Sequence, residues 1–287
     1  MSTNTQVDMA GKTVMITGAN SGIGRATAMS IAGMGADVVM ICRDRDRGEQ
    51  AMQDIAAQGD GSVELLIADL SSQKQIRQVA AEFLSEGRPL HVLVNNAGVT
   101  LNNRSETEDG VESTFAINHI GPFLLTDLLL DVLKENAPSR IVTVSSSAHM
   151  MGGLDFEDIN SENKYGGMRV YGKSKLANIL FTSELARRLE GTGVTANAAH
   201  PGPVASNFGR NNDGPMRMMV KMMAPFIRST ERGAETSIYL ATSPEVEGIT
   251  GKYFFNSKEK QPSKAARSDE DAQRLWQISA DMTLVSG

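Results

Sequence analysis

Hydrophobic positions along the chain follow two alternating patterns. Seven short runs are apolar almost without interruption: KTVMITG, ADVVMICR, SVELLIADL, HVLVNNAG, SRIVTVSS, VTANAAHPG and ITGKYFF. Strands covered on both faces have this character, whereas a half-exposed strand alternates apolar with polar residues. Between the runs, apolar residues recur at helical spacing over 24–34, 47–58, 73–85, 126–135 and 170–189. A last such segment, over 268–282, offers Leu275, Trp276 and Ile278 for packing. Strand and helix in alternation predict βαβ units with right-handed crossovers. The expected fold is α/β: one doubly wound, mostly parallel seven-stranded sheet with helices on both faces. No linker divides the chain, so residues 1–287 form a single domain with a flexible start over 1–10. Regular structure is weakest over 202–225, where Gly, Pro, Asn and Asp gather ahead of a Met-rich run.

Composition narrows the classes of function. Hydrophobic residues make up 40% and charged residues 22%, as in a soluble globular protein. Net charge is −6 and no basic segment stands out, which argues against nucleic acid as a partner. Cys42 is the only cysteine, so no intrachain disulfide forms, in keeping with a reducing compartment. The start MSTNTQVDMAGK has no apolar core, and no apolar run approaches the ~18 residues that span a bilayer. A soluble, cytoplasmic protein without a transmembrane segment is expected. The spacings of His119, His149 and His200 match no metal-ligand pattern, so no metal is expected.

Chemistry concentrates at two places. TGANSGIG directly follows the first strand and opens the first helix, with Gly18, Gly22 and Gly24 in G-x-x-x-G-x-G spacing. Glycines permit the tight turn and let backbone approach a phosphate. The helix then presents free N–H groups and its positive dipole end to a pyrophosphate. Lying between strand and helix, the turn satisfies the context of a dinucleotide site in a Rossmann fold. Tyr171 and Lys175 are four positions apart in YGKSK, on one face of the helix predicted over 170–189. A free phenol titrates near ~10, and a cation held beside it lowers that value. The pair then exchanges a proton with an alcohol or carbonyl oxygen.

TGANSGIG, the NNAG of 95–98, the Ser-Tyr-Lys set and the HPG of 200–202 together resemble the short-chain dehydrogenase/reductase family over about residues 11–255. CRD after the second strand, VSSSAH, YGKSKLANILF and the late RLWQIS are similar to its retinol dehydrogenase-like branch. The resemblance implies an oxidoreductase that moves a hydride between NADP(H) and a carbonyl or alcohol. It places Gly18, Asn20, Ser21, Gly22, Ile23 and Gly24 at the pyrophosphate, and Asp69 and Leu70 at the adenine. Asn96, Ala97 and Gly98 pass the ribose, while Pro201, Gly202 and Val204 meet the nicotinamide. Tyr171 acts as the proton donor or acceptor. Lys175 tunes it and binds the ribose hydroxyls, and Asn118 positions a water in a proton relay. Ser146, with Ser145 as the neighbouring register, bonds the substrate oxygen. Homodimers or homotetramers, formed through the Tyr171 helix and the helix after Gly121, belong to the same resemblance.

NADP is favoured over NAD because Arg43 follows the second strand, where NAD enzymes commonly place a carboxylate. Arg25 adds positive potential and Asp44 opposes it. On the substrate side, Met216 and Met219 belong to the Met-rich run. The run is read as a lid over about 203–228, or as a helix packing on the core or on another subunit. Met150, Met151, Leu154, Val99 and Leu101 extend an apolar wall suited to a lipophilic aldehyde, ketone or secondary alcohol, and His149 joins Met216 and Met219 as a substrate-site candidate. Two alternatives share these motifs: a C=C (enone) reductase and a non-catalytic NADP-sensing regulator. GxSxG is absent, which counts against a serine hydrolase.

Overall fold

The computed structural model describes residues 7–204 and 228–285. Among these, β1 (Thr13–Thr17), β2 (Asp37–Cys42), β3 (Val63–Ile67), β4 (Val92–Asn95), β5 (Ser139–Val144), β6 (Val194–His200), β7 (Tyr253–Phe255) and β8 (Lys258–Glu259) form one sheet. Its order is β3-β2-β1-β4-β5-β6-β7-β8, parallel except for the antiparallel pairing of β8 with β7. The expectation of seven strands misses β8, a two-residue return whose exposed Lys258 and Glu259 give no apolar signal.

Side chains alternate between two cores. Val14, Ile16, Val38 and Met40 face α1 (Gly22–Ala32), α2 (Arg45–Ala56) and α8 (Thr230–Thr242). Met15, Val39 and Ile41 face α3 (Gln73–Ser85), α5 (Gly121–Leu128), α7 (Gly167–Arg188) and the C-terminal α9 (Asp269–Thr283). Every residue of β1 is buried, which explains its unbroken apolar run. Each fully buried Val, Ile or Met contributes about 1.5–3 kcal/mol. Helix starts carry their own signals: Asp44, Ser72 and Ser268 each accept a hydrogen bond from a backbone N–H in the first turn.

The helix expected over 126–135 is longer and broken. It starts at α4 (Ser113–Phe115), passes through a π turn (Ala116–Ile120) into α5, and resumes as α6 (Leu130–Glu135). Residues 113–126 are buried on nearly every side, so they show no amphipathic period. α9 lies along α7 and the π turn. Trp276 sits edge-on to Phe123 at 5.0 Å and stacks on Phe181 at 5.9 Å. The Arg188 guanidinium lies 4.3 Å from the Trp276 ring, and His119 Nε2 lies 2.9 Å from Ser279 Oγ. The faces of α5 and α7 packed here carry the chain's own last helix. No helix among the described residues is long and apolar enough to cross a membrane.

Candidate active site

A cavity of about 1030 Å³ opens at the carboxyl ends of β1 to β5, where the strand order reverses between β1 and β4. Its floor is the glycine turn. Gly18 has φ +68°, a conformation that costs other residues strain. A Cβ on Gly24 would lie 2.4 Å from both Gly18 O and Asn96 Nδ2, so only glycine lets α1 start this close to β4. Asn96 Nδ2 donates to Thr17 O at 2.8 Å, and Thr17 Oγ1 accepts from Asn96 N at 2.9 Å and Ala97 N at 3.0 Å. Thr17 thereby ties the NNAG segment to the turn. Ser21 caps α1 without a side-chain hydrogen bond, and no acid stands in the first turn. The first N–H groups of α1 therefore face the cavity beside Asn20, Ser21, Gly22 and Ile23, a donor set that fits a pyrophosphate.

The end of β2 supplies the positive charge. Arg43 and Arg47 both line the cavity. The Asp44 carboxylate accepts from Arg47 N at 3.0 Å and from Arg47 Nε at 2.9 Å. These two bonds hold it below the usual carboxylate range, so its charge is engaged locally. Arg43 Nη1 lies 3.7 Å from Asp69 Oδ2, while Asp69 Oδ1 accepts from Ser71 N at 2.9 Å. Asp69 thus faces Arg43 and its own turn; Leu70 lines the cavity and Asp69 does not. Arg25 bonds Asp54 at 2.6 Å and adds no charge to the cavity wall.

Tyr171 and Lys175 enter the cavity from α7, and β5 ends beside them. Successive strand residues point to opposite sides, and this separates the candidate serines. Ser145 is buried with Oγ donating to Lys175 O at 2.7 Å. Ser146 turns the other way, with its hydroxyl beside the Tyr171 phenol, where it acts to lower the phenol's pKa; Ser145, and not Ser146, borders the cavity. Ser146 Oγ also accepts from Ala148 N at 3.1 Å. Lys175 Nζ donates to Val144 O at 2.9 Å and lies 5.7 Å from the centroid of the Tyr171 ring. The expectation of a lowered phenol pKa does not hold for the chain alone. Burial pushes Tyr171 up to about 12, against the lowering effect of Ser146. Burial also pushes Lys175 down to about 8. Desolvation disfavours both charged forms and is the largest cause of each shift.

Asn118 lies in the π turn, fully buried. Its Oδ1 accepts from Val99 N at 2.7 Å, and its Nδ2 donates to Val99 O at 2.9 Å and Ser174 Oγ at 2.9 Å. Ser174 Oγ in turn donates to Tyr171 O at 2.8 Å. The Asn118 side chain is therefore a clamp between the segment after NNAG and the backbone of Tyr171. A Cβ on Gly98 would lie 3.3 Å from Asn118 Oδ1 and from Lys175 Nζ, so three elements meet at that glycine.

Ala97, Gly98 and Pro201 line the cavity; Gly202 and Val204 do not. Gly202, at φ +82°, packs under the Arg228 side chain, and Val204 pairs with Arg228. His149 is absent from the cavity wall, for it points away, behind Ser146. Met216, Met219 and most of the proposed lid lie outside the described residues. Sequence reasoning passed over Thr17, Arg47 and Ser174. Thr17 and Ser174 stand inside the quoted motifs, TGANSGIG and YGKSK, and Arg47 lies one helical turn past Arg43. Among the described residues, no group of His, Cys, Asp and Glu is arranged to hold a metal ion. Another cavity, of about 1130 Å³ and lined by Lys12, His91, Arg140 and Gly251, lies at the opposite end of the sheet.

Comparison with known proteins agrees with this geometry. The family profile for short chain dehydrogenase matches residues 12–216. Retinol dehydrogenase 12 of Mus musculus is 47% identical over 279 residues, covering 97% of this chain and 88% of that protein. Retinol dehydrogenase 14 of Homo sapiens is 46% identical over 291 residues, covering 96% and 87%. Among solved structures, an uncharacterized protein from Mycobacterium Paratuberculosis aligns with a TM-score of 0.79 at 34% identity, covering 98% of this chain and 96% of that one. The Pseudomonas aeruginosa RhlG/NADP active-site complex aligns with a TM-score of 0.70 at 26% identity, covering 86% and 95%.

Proposed function

The chain belongs to the short-chain dehydrogenase family, and from that premise we propose that it is an NADP(H)-dependent oxidoreductase acting on a lipophilic aldehyde, ketone or secondary alcohol. One observation carries the reading: Tyr171 and Lys175, one turn apart on α7, both stand at the wall of the glycine-turn cavity, with the Ser146 hydroxyl beside the Tyr171 phenol. Arg43 and Arg47 at the end of β2, with Asp44 engaged in capping, support a 2′-phosphate and hence NADP. The RhlG complex holds NADP in the same fold. The apolar substrate class is supported by Val99 and Leu101 in the cavity wall and by relatives named for retinol.

When bound, the nicotinamide cofactor supplies or accepts the hydride. The chain's own residues manage the proton. Ser146 Oγ donates to the substrate oxygen and holds it beside Tyr171 Oη. Tyr171, kept protonated by burial, gives its proton to that oxygen as negative charge develops there, which favours carbonyl reduction. Lys175 Nζ lies close enough to stabilise the phenolate that remains. Asn118 and Ser174 hold the backbone of Tyr171 while this happens, and the buried wall of β5 excludes water.

The test is a panel of aliphatic, aromatic and polyene aldehydes, with enones alongside, offered with NADPH. Nicotinamide absorbance is followed and products are identified. Alcohol products are expected, together with loss of nearly all turnover in Tyr171→Phe and Ser146→Ala at unchanged NADPH affinity. Near-native turnover in either variant refutes the assigned roles. Saturated carbonyl products would identify an enone reductase instead. Tight NADPH binding without turnover on any substrate would identify a cofactor-sensing protein.

A further inference from the structure

We propose that His149 is a positioning residue: it holds the backbone of Ser146 from behind and so fixes the hydroxyl that meets Tyr171. The proposal rests on the reading of Ser146 and Tyr171 as the proton-transfer pair.

His149 lies in the 3₁₀ turn Ser147–Met150, directly after β5, and is only 3% exposed. Its Nδ1 is 2.7 Å from Ser146 O, and its Nε2 is 3.2 Å from Ser263 N. A carbonyl oxygen can only accept and a backbone N–H can only donate. Nδ1 therefore carries the hydrogen and Nε2 the lone pair, which defines one neutral tautomer. The imidazole bridges two parts of the chain 114 residues apart, the end of β5 and the segment that follows β8. It cannot swing freely, because the Tyr253 ring packs edge-on against it at 5.3 Å.

Ser146 is thus held by three bonds, one of them from His149 N to Ser146 O at 3.1 Å. Its Oγ accepts from Ala148 N, which orients the hydroxyl, and its carbonyl is held by His149, which sets where the residue sits. On the other side Ser145 Oγ is bonded to Lys175 O, so the strand end is fixed from both faces. Loss of the imidazole bond leaves the Ser146 carbonyl on the longer 3.1 Å bond from His149 N alone, and Oγ shifts as that peptide relaxes. A displacement of about 1 Å at a reacting group costs up to about 10²-fold in rate.

Two substitutions separate the two bonds. In His149→Asn the amide Nδ2 falls near the place of Nδ1 and keeps the donor to Ser146 O, while the acceptor for Ser263 is lost. In His149→Gln the amide reaches the place of Nε2 and the donor to Ser146 is lost. Both lose the ring contact with Tyr253 equally. The expected result is kcat within about threefold of wild type for His149→Asn and at least about tenfold lower for His149→Gln, with the KM for NADPH unchanged in both. Amide hydrogen exchange reads the same anchor without any substrate. His149→Gln is expected to speed exchange at Ala148, and His149→Asn at Ser263. Equal kcat in the two variants, or unchanged protection of Ala148 in His149→Gln, overturns the proposal. Ser146→Ala, run in parallel, separates the two ideas. If it keeps wild-type turnover, the reading of the site has failed. If it is inactive while His149→Gln keeps turnover and protection, only the positioning role has failed.

Discussion

Lys175→Met is expected to yield a protein that is inactive and, at neutral pH, more stable. Lys175 is 3% exposed, and burial pushes its ammonium from the ordinary 10.5 to about 8. That gap corresponds to about 3 kcal/mol, at about 1.4 kcal/mol per pH unit. The sign follows from linkage. The folded pKa is depressed, so the unfolded chain binds the proton more tightly, and below about pH 8 the charged lysine opposes folding in full. The cost shrinks as pH rises from about 8 toward 10.5 and vanishes above that. Met fills the same slot without charge. Val144 O is not stranded, because Asn178 Nδ2 also donates to it at 3.1 Å. The lost ammonium–carbonyl bond gives back about half of the gain. The net gain near pH 7 is then about 1–2 kcal/mol, a rise of about 2–4 °C in Tm for a domain of this size. Thermal and urea unfolding of both proteins, followed by circular dichroism from about pH 7 to about pH 10, reads the difference directly. The advantage of the variant should fall through that window and then reverse. A variant less stable at pH 7, or a difference independent of pH, refutes the reasoning. NADPH should stabilise the wild type more than the variant, because Lys175 lines the cofactor cavity.

Arg43→Ala is expected to raise the KM for NADPH by about tenfold or more while leaving the KM for NADH nearly unchanged, since a lost charge-assisted bond to phosphate is worth about 1.5–3 kcal/mol. Equal effects on both cofactors would remove the 2′-phosphate assignment. Ser145→Ala deletes one buried hydrogen bond, to Lys175 O, and should cost about 1 kcal/mol in urea unfolding while kcat stays within a few fold. A loss of turnover as large as that of Ser146→Ala would mean that the two serines had been assigned the wrong way round.

The sequence made legible whatever depends on local pattern. The apolar runs of β1, β2 and β5, the glycine turn and the helix over 73–85 stand where their residues predict. Tyr171 and Lys175 do as well, because four positions on a helix can only share a face. What escaped depends on direction and on distant partners. The choice between Ser145 and Ser146 turns on which side of β5 each faces. His149 sits in the same motif yet points behind the serine, toward a residue far along the chain. Asn118 was legible as a polar residue with a purpose, but the clamp on Val99 needs the π turn, which a fully buried segment does not announce. In the chain alone burial raises the Tyr171 phenol, and spacing says nothing of burial.

The packing of α9 has a consequence for when the site comes into being. Gln73 Nε2 donates to Met282 O at 2.8 Å, and Arg77 bonds Thr283 O, contacts that join residues 209 and 206 positions apart. Trp276 and Ser279, on the same helix, complete the surroundings of Phe181 on α7 and of His119 in the π turn. During synthesis the chain therefore carries Tyr171, Lys175 and Asn118 out of the ribosome well before the helix that packs behind them. Phe123, Phe181 and the π turn wait uncovered until Asp269–Thr283 is made. The Tyr171 helix and the π turn acquire this support only once α9 has been made, and a protein stopped short of α9 leaves an aromatic face open to whatever apolar surface it meets.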